Sequence, residues 1–365
     1  MPKKRTFDSI IFVCTIALIG IGIVMVYSSS AVMAMEKFND PQFFLKRHIM
    51  WLILGFISMI AMMRIDYREI RRFTYPVLIV SIIMLILVLI PYFGKEVGGA
   101  RRWLNIGSFS FQPAELVKFS LILFLSHSLV KRGDYLRDFT YGYLPHLVVI
   151  GVFFMLILIQ PDLGSIVVIT VVAFILMFVA GVRFSFLLSS FLMMVPFLYM
   201  AVFNIGYRRK RIKAFLDPWS DPMDTGFQTI QSFIAFGRGG FFGLGLGEGK
   251  QKLFYLPEPH TDFIFSVLGE EMGFIGVTAV VILFLIFIVR GIRVSLRSPD
   301  IYGMYLSLGI ILTIGIQVVI NMGMAIGLLP TKGLPLPFIS VGGSSLLISM
   351  VSVGVLLNIS EYTIG

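Results

Sequence analysis

Asp262 stands in the run His260-Thr261-Asp262-Phe263-Ile264-Phe265, where a large polar loop gives way to a long apolar segment. A carboxylate at that border can work on a molecule whose head lies in water and whose tail lies in lipid. With water excluded it can take the proton of a sugar hydroxyl, provided burial offsets the helix dipole, which favours the ionised form and weakens the base. The same residue can instead be a helix N-cap that accepts an orphan backbone N–H. Asn replaces Asp at a cap for little cost and cannot replace a base, so one substitution separates the two readings.

Other ionisable residues fall at similar borders. Glu115 and Lys118 stand three apart at the start of an apolar helix and share a face. They form either an internal ion pair that eases both into the interface or a place where Lys118 meets an anionic head group. Asp162 follows Pro161 where another helix begins, the position of a cap. His260 can orient Asp262 or a substrate, or be simply solvated. Glu270 and Glu271 lie two turns beyond Asp262 on a continuous helix, about 80° from its face and roughly opposite it at about 100° per residue. At most one of them joins its site, and each needs a partner, a proton or water. No His, Cys and carboxylate cluster has metal-site spacing. A magnesium or manganese ion bridging an acidic residue and a pyrophosphate still fits, since magnesium usually takes only one or two protein carboxylates.

The elements that must position these residues are membrane helices. Of the 365 residues, 57% are hydrophobic and 14% charged, and the mean hydropathy of +0.92 excludes a soluble fold for most of the chain. A bilayer core of about 30 Å needs roughly 20 apolar residues per helix. About ten such runs are found, near 9–33, 48–63, 74–92, 114–130, 143–160, 163–181, 184–204, 262–289, 301–327 and 344–361. The expected architecture is therefore an all-α membrane protein in one domain over 1–365, with one large extracytoplasmic loop at about 205–261 between the seventh and eighth spans. The first span follows Lys3-Lys4-Arg5 and is too long for a cleavable leader, so it reads as a retained anchor. Basic residues at the amino terminus, Arg64 to Arg72, Lys131 to Arg137, Arg183 and Arg290 to Arg297 then share one side, which the positive-inside rule makes cytoplasmic, with both termini there.

That topology gathers the unusual segments on the opposite, outer face: Arg101-Arg102-Trp103, Gln112 to Lys118, Gln160-Pro161-Asp162, the large loop, His260 to Asp262, and the Pro-rich run from Pro330 to Ser345. Irregular backbone near membrane depth is tolerated where it lines a protein or water-filled cavity, the reading given to the Pro-rich run against that of a plain loop. In the large loop, Asp217-Pro218 ends a helix that opens with Tyr207 to Arg211. The stretch Gly237 to Gly247 holds six glycines, which implies tight turns or close approach to the main chain; it lacks the Lys-Ser/Thr ending of a nucleotide loop. The net charge of +10 is scattered over loops with no nucleic-acid fold signature, so anionic membrane lipid is the expected counterpart and nucleic acid is not. Cys14 is alone in the chain, packs inside the first span, and permits no intrachain disulfide.

These segments resemble the FtsW/RodA/SpoVE group, the SEDS family of bacterial cell-wall proteins. The likeness rests on Gly99-Ala100-Arg101-Arg102-Trp103, Gln112-Pro113-Ala114-Glu115 with Lys118, Gln160-Pro161-Asp162-Leu163-Gly164, Asp217-Pro218-Trp219, Tyr255-Leu256-Pro257-Glu258 and His260 to Phe265, in that order over nearly the whole chain. Leu329 to Gly333 and Gly269-Glu270-Glu271 resemble the division branch more than the elongation branch; Val341 departs from the Tyr often found before Gly-Gly-Ser-Ser. The resemblance implies a peptidoglycan glycosyltransferase that polymerises lipid II and releases undecaprenyl pyrophosphate, with Asp262 matching the essential acidic residue. It implies substrate contacts from Lys118, Glu115, Arg101, Arg102, Arg208, His260, Ser344 and Ser345, the cations offsetting pyrophosphate charge. It also implies a class B penicillin-binding protein as partner, beside other division or elongation proteins. A lipid II flippase and a noncatalytic division scaffold are the competing expectations.

Overall fold

In lipid a backbone has no water to bond to, so a spanning segment must close its hydrogen bonds internally. The computed structural model, which describes residues 6–97, 99–106, 109–203, 206–252 and 259–363, meets that demand with helices. In chain order they are α1 (Ser9–Phe38), α2 (Phe43–Arg64), α3 (Thr74–Leu89), α4 (Pro113–Lys131), α5 (Leu144–Ile159), α6 (Leu163–Val179), α7 (Phe184–Phe203), α8 (Gly206–Leu216), α9 (Phe227–Gly239), α10 (Ile264–Leu296), α11 (Ile301–Ala325) and α12 (Gly343–Glu361). Among the described residues eight segments are long and apolar enough to cross a membrane: α1, α2, α4, α10, α11, α12, and those that extend α3 and α5 back to Tyr67 and Phe139. The shorter apolar helices, α6 and Phe184–Phe197 of α7, stand where the sixth and seventh spans are expected. The helical expectation gains one addition: a three-stranded antiparallel sheet of β1 (Gly94–Val97), β2 (Ala100–Ile106) and β3 (Phe109–Phe111) between α3 and α4.

Burial sorts the helices. In α4 and α12, 83% and 78% of the apolar window is inside the protein, against 22% in α2, so the first two form the centre and α2 faces outward. Close approach of α2 and α12 depends on glycine: a Cβ on Gly354 would lie 2.5 Å from the Met59 carbonyl oxygen. The two ends of the bundle carry different chemistry. At one end Asp8 caps α1, pairs with Arg290 at 2.7 Å and donates its amide N–H to the Ser360 hydroxyl, while Asp66 bonds Tyr362 and Tyr67 bonds Asp300. The Asp162, Asp262 and Pro-rich segments meet at the opposite end, where Asn321 bonds the last two and Leu334 packs on Gly164.

One expectation needs correction. The eighth span is not a continuous helix from residue 262: α10 starts at Ile264 and breaks at Gly273, whose φ of 63° and ψ of −164° leave the helical region. Such a break deprives the carbonyls of Glu270 and Glu271, and the amides of Phe274 and Ile275, of each other. The glycine-rich loop supplies all four partners. Leu244 N–H donates to Glu270 O (3.0 Å), Gly245 N–H to Glu271 O (3.1 Å), and the amides of Phe274 and Ile275 donate to Gly240 O (2.9 Å) and Phe241 O (3.2 Å). This contact requires a glycine at 243, because a Cβ there would sit 2.1 Å from Glu271 O. The glycines thus serve close backbone approach, as expected from their density.

The two glutamates at the break are fully paired and neither reaches Asp262. Glu270 accepts from the amides of Lys250 (3.0 Å) and Gln251 (3.0 Å). Glu271 pairs with Lys252 at 2.6 Å and accepts from the Ser28 hydroxyl of α1 at 2.7 Å, with both charged side chains buried. Removing one member of such a pair strands the other. Lys252→Met is expected to destabilise the protein by about 3–5 kcal/mol and Lys252→Met with Glu271→Met by much less, measured by denaturation in detergent; equal losses in the two variants would refute the pairing.

Candidate active site

Asp262 lies two residues ahead of α10 in a turn, and the helix is capped at Phe263. Capping therefore does not account for it. What holds it is a row of backbone bonds. The carbonyl of His260 accepts from Val341 N–H (3.0 Å), that of Thr261 from the Ser340 hydroxyl (2.6 Å), and that of Asp262 from the Asn321 side-chain amide (3.0 Å). Asn321 also donates to Leu334 O at 2.8 Å, and so ties the turn to the Pro-rich segment from both sides. With its backbone fixed, the Asp262 side chain faces Gly333: a Cβ there would lie 3.2 Å from Oδ2.

The Pro-rich segment is a non-helical stretch folded inside the protein, as expected. Phe338 packs against Phe284 and Phe287 of α10, and its carbonyl approaches α1 where Gly22 leaves room. Phe338 itself has a φ of 66°, a conformation that costs a residue with a Cβ and is here enforced by the surrounding contacts. Leu334, Leu336 and Ile339 are buried beside it.

Arg211 of α8 donates to Thr331 O at 3.0 Å. Lys332 follows, half-buried, its amide on the Met324 sulfur at 2.9 Å. Burial pushes the Lys332 ammonium below its ordinary pKa, with Arg211 acting in the same sense and Asp162 opposing them. Asp162 caps α6 as expected, accepting from Ser165 N–H (3.2 Å), Ser165 Oγ (2.7 Å) and the Gln112 amide (3.2 Å).

The remaining expected residues divide between this end and the interior. His260 is buried, not solvated, with its ring 4.6 Å from that of Phe44. Ser344 is buried and accepts from Gln112 N–H at 3.2 Å, and Ser345 is buried next to it. Arg102 donates to the carbonyls of Gln160 (3.1 Å) and Pro161 (2.6 Å), binding the sheet to the α5–α6 turn, while Arg101 meets Glu96 at 3.3 Å on the exposed hairpin. Glu115 and Lys118 form a buried pair at 2.8 Å. They line a narrow cleft with Thr313, Gln317, Ser349 and Ser352. Gln317 is one turn, about 6 Å, along α11 from Asn321. The side chain of Arg208 and the run Tyr255 to Glu258 lie outside the described residues.

Sequence reasoning passed over Asn321, Arg211, Lys332 and Ser340 as individual contributors. Asn321 did carry a signal, an amide one turn beyond Gln317 in an apolar helix, which in membranes marks a buried polar bond. Lys332 and Arg211 sat in noted runs without a reason to single them out. Because Asn321→Leu bares two carbonyls, it is expected to lower stability by about 2–6 kcal/mol, at about 1–3 kcal/mol per group; denaturation no different from the parent would show that the clamp is dispensable.

The profile of the cell cycle protein family FtsW/RodA/SpoVE matches residues 8–364. Over 365 residues the chain is 49% identical to the probable peptidoglycan glycosyltransferase FtsW of Geobacter sulfurreducens, covering 100% of this chain and 98% of that one. It is 44% identical over 361 residues to stage V sporulation protein E of Bacillus subtilis, covering 99% of both. Among solved structures, a chain from work on the structural coordination of polymerization and crosslinking by a peptidoglycan synthase complex superposes with a TM-score of 0.80 at 31% identity over 97% of each chain. The rod shape determining protein RodA of Thermus thermophilus superposes with a TM-score of 0.73 at 27% identity over 100% of each. This chain belongs to the FtsW/RodA/SpoVE family.

Proposed function

We propose that this chain is a peptidoglycan glycosyltransferase that polymerises lipid II into glycan strands at the outer face of the cytoplasmic membrane, with Asp262 as its general base. The observation that carries the role of Asp262 is the three-carbonyl clamp, which fixes the turn while leaving the carboxylate against a glycine. The absence of a side chain at Gly333 leaves space where a sugar hydroxyl can approach. The acceptor 4-hydroxyl gives its proton to Asp262 as its oxygen bonds to the donor's anomeric carbon, and the bond from that carbon to pyrophosphate breaks. Full-length relatives named as FtsW glycosyltransferases support the reaction class.

Counting α6 and α7 as crossings gives ten spans, with both termini cytoplasmic and Asp262 facing outward; the basic residues of the Asp8–Arg290 end support this sense. The Glu115–Lys118 cleft would take part of the substrate, Gln317 on its wall lying one turn along α11 from the Asn321 that holds the Asp262 turn. Any magnesium or manganese ion would rest on Asp262 and the substrate's own pyrophosphate, because among the described residues no three His, Cys, Asp or Glu side chains converge. A class B penicillin-binding protein is the proposed partner, on the precedent of the relative solved in a peptidoglycan synthase complex.

The test uses purified protein and lipid II. Asp262→Asn and Asp262→Ala should cut polymer formation by about 10²–10⁴-fold while the variants melt like the parent. Normal elongation by the Asn variant would end the proposal, and lipid movement between leaflets without polymer would favour a flippase.

A further inference from the structure

We propose that the end of the bundle opposite Asp262 holds a site for an anionic phospholipid, its phosphate on Arg71 and Lys131 and its acyl chains along α3. The site stands apart from the glycosyltransferase reading and takes from it only the cytoplasmic sense of this end. Arg71, in the turn that leads into α3, donates its Nε–H to Nδ1 of His127 in α4 at 2.8 Å. Its guanidinium carbon lies 5.5 Å from the centre of the Tyr302 ring of α11. Two helices thus aim one cation, the imidazole fixing one edge of the guanidinium while the aromatic face offsets part of its charge. Its remaining N–H groups bond nothing among the described residues, and such a fork matches two oxygens of a phosphate.

The neighbouring cations divide into spent and unspent. Arg68 pairs with Asp300, Arg290 with Asp8, and Arg132 donates to the Tyr141 carbonyl. Arg71 and Lys131 meet no carboxylate at ion-pair distance among the described residues, and both lie within electrostatic reach of His127. Lys131 is exposed, whereas Arg71 is half-buried. Arg71 has therefore given up hydration without a counter-charge in contact, a cost that an arriving phosphate relieves. Tyr302 beside it is buried, and its hydroxyl has no hydrogen-bond partner among the described residues, a second unmet polar group in the same layer.

The surface that adjoins these cations marks the ligand as a lipid. Tyr75 sets its ring edge-on to that of His127, with 5.6 Å between centres. From there Tyr75, Ile79, Ile83 and Ile86, each about half exposed, follow one face of α3 at helical spacing toward the outer end. An apolar track that starts at unpaired cations matches a phospholipid in the order in which a bilayer presents it, head group at the interface and chains inward.

Native mass spectrometry of the full chain, released from phosphatidylcholine nanodiscs doped with phosphatidylglycerol, tests the site. The parent should retain phosphatidylglycerol in preference to phosphatidylcholine. Arg71→Gln should weaken that retention about fivefold, and Arg71→Gln with Lys131→Gln about thirtyfold. Arg293→Gln with Arg297→Gln removes as much charge from exposed positions of the same end and should change retention by less than about twofold. Equal losses in the two double variants would reduce the effect to diffuse attraction and overturn the site, as would undiminished retention by the Arg71 and Lys131 pair of substitutions. Inorganic phosphate in solution should not displace the lipid; displacement would make the ligand a free anion and overturn the lipid assignment. Retention is read without turnover, so a chain that makes no polymer counts against the polymerase reading and not against this site. Melting curves accompany each variant. Should Arg71→Gln not fold, Lys131→Gln, at an exposed position, carries the test, with a loss of about fivefold expected and no loss overturning the site.

Discussion

A helix interrupted inside a membrane protein must find new partners for the hydrogen bonds it gives up, and the break at Gly273 depends on a loop of glycines to supply them. Four backbone groups lose their helical partners there, and four groups of residues 240–245 replace them. Because the replacement is main chain against main chain, the approach depends on Gly243, where a Cβ would meet the Glu271 carbonyl. Its position in turn places Lys252 against Glu271 and Ser28, which joins the loop to α1. The short first half of α10, and the turn that carries Asp262, are thereby held apart from the spanning half.

Charge is handled by the same economy of partners. Glu270, Glu271, Glu115, Asp162 and Asp8 are all buried, and each is bonded to an amide, a hydroxyl or a cation. Burying an unmatched charge would cost several kcal/mol, so these contacts mostly repay desolvation and fix geometry. Asp262 and Lys332 differ in being only half-buried, beside an irregular segment and not within a helix.

Much of this was legible in the sequence, for identifiable reasons. Hydropathy and length located the helices, because a bilayer imposes both. Asp262, Glu115, Lys118 and Asp162 stood out as charges at the borders of apolar runs, and the glycine run announced close backbone approach. The partners of these groups were not legible: Ser28 lies 243 residues from Glu271 and Asn321 lies 59 from Asp262, and no local pattern encodes such distances. The cap shifted to Phe263 because the turn before α10 is set by the carbonyl clamp and not by propensity. The hairpin sheet escaped notice because its short strands are half polar, and the break at Gly273 because one glycine in an apolar helix is compatible with continuity.

The clamp on Asp262 also bears on when the protein becomes competent during its own synthesis. Its donors, Asn321, Ser340 and Val341, all follow the aspartate in the chain, and Ser344 of α12 braces the start of α4 from the far end of the sequence. While a ribosome is still feeding α11 into the translocon, residues 260–262 have no partners for their carbonyls. The turn that carries Asp262 is thus among the last features to set, and an unfinished chain in the membrane holds its acidic residue with no fixed aim.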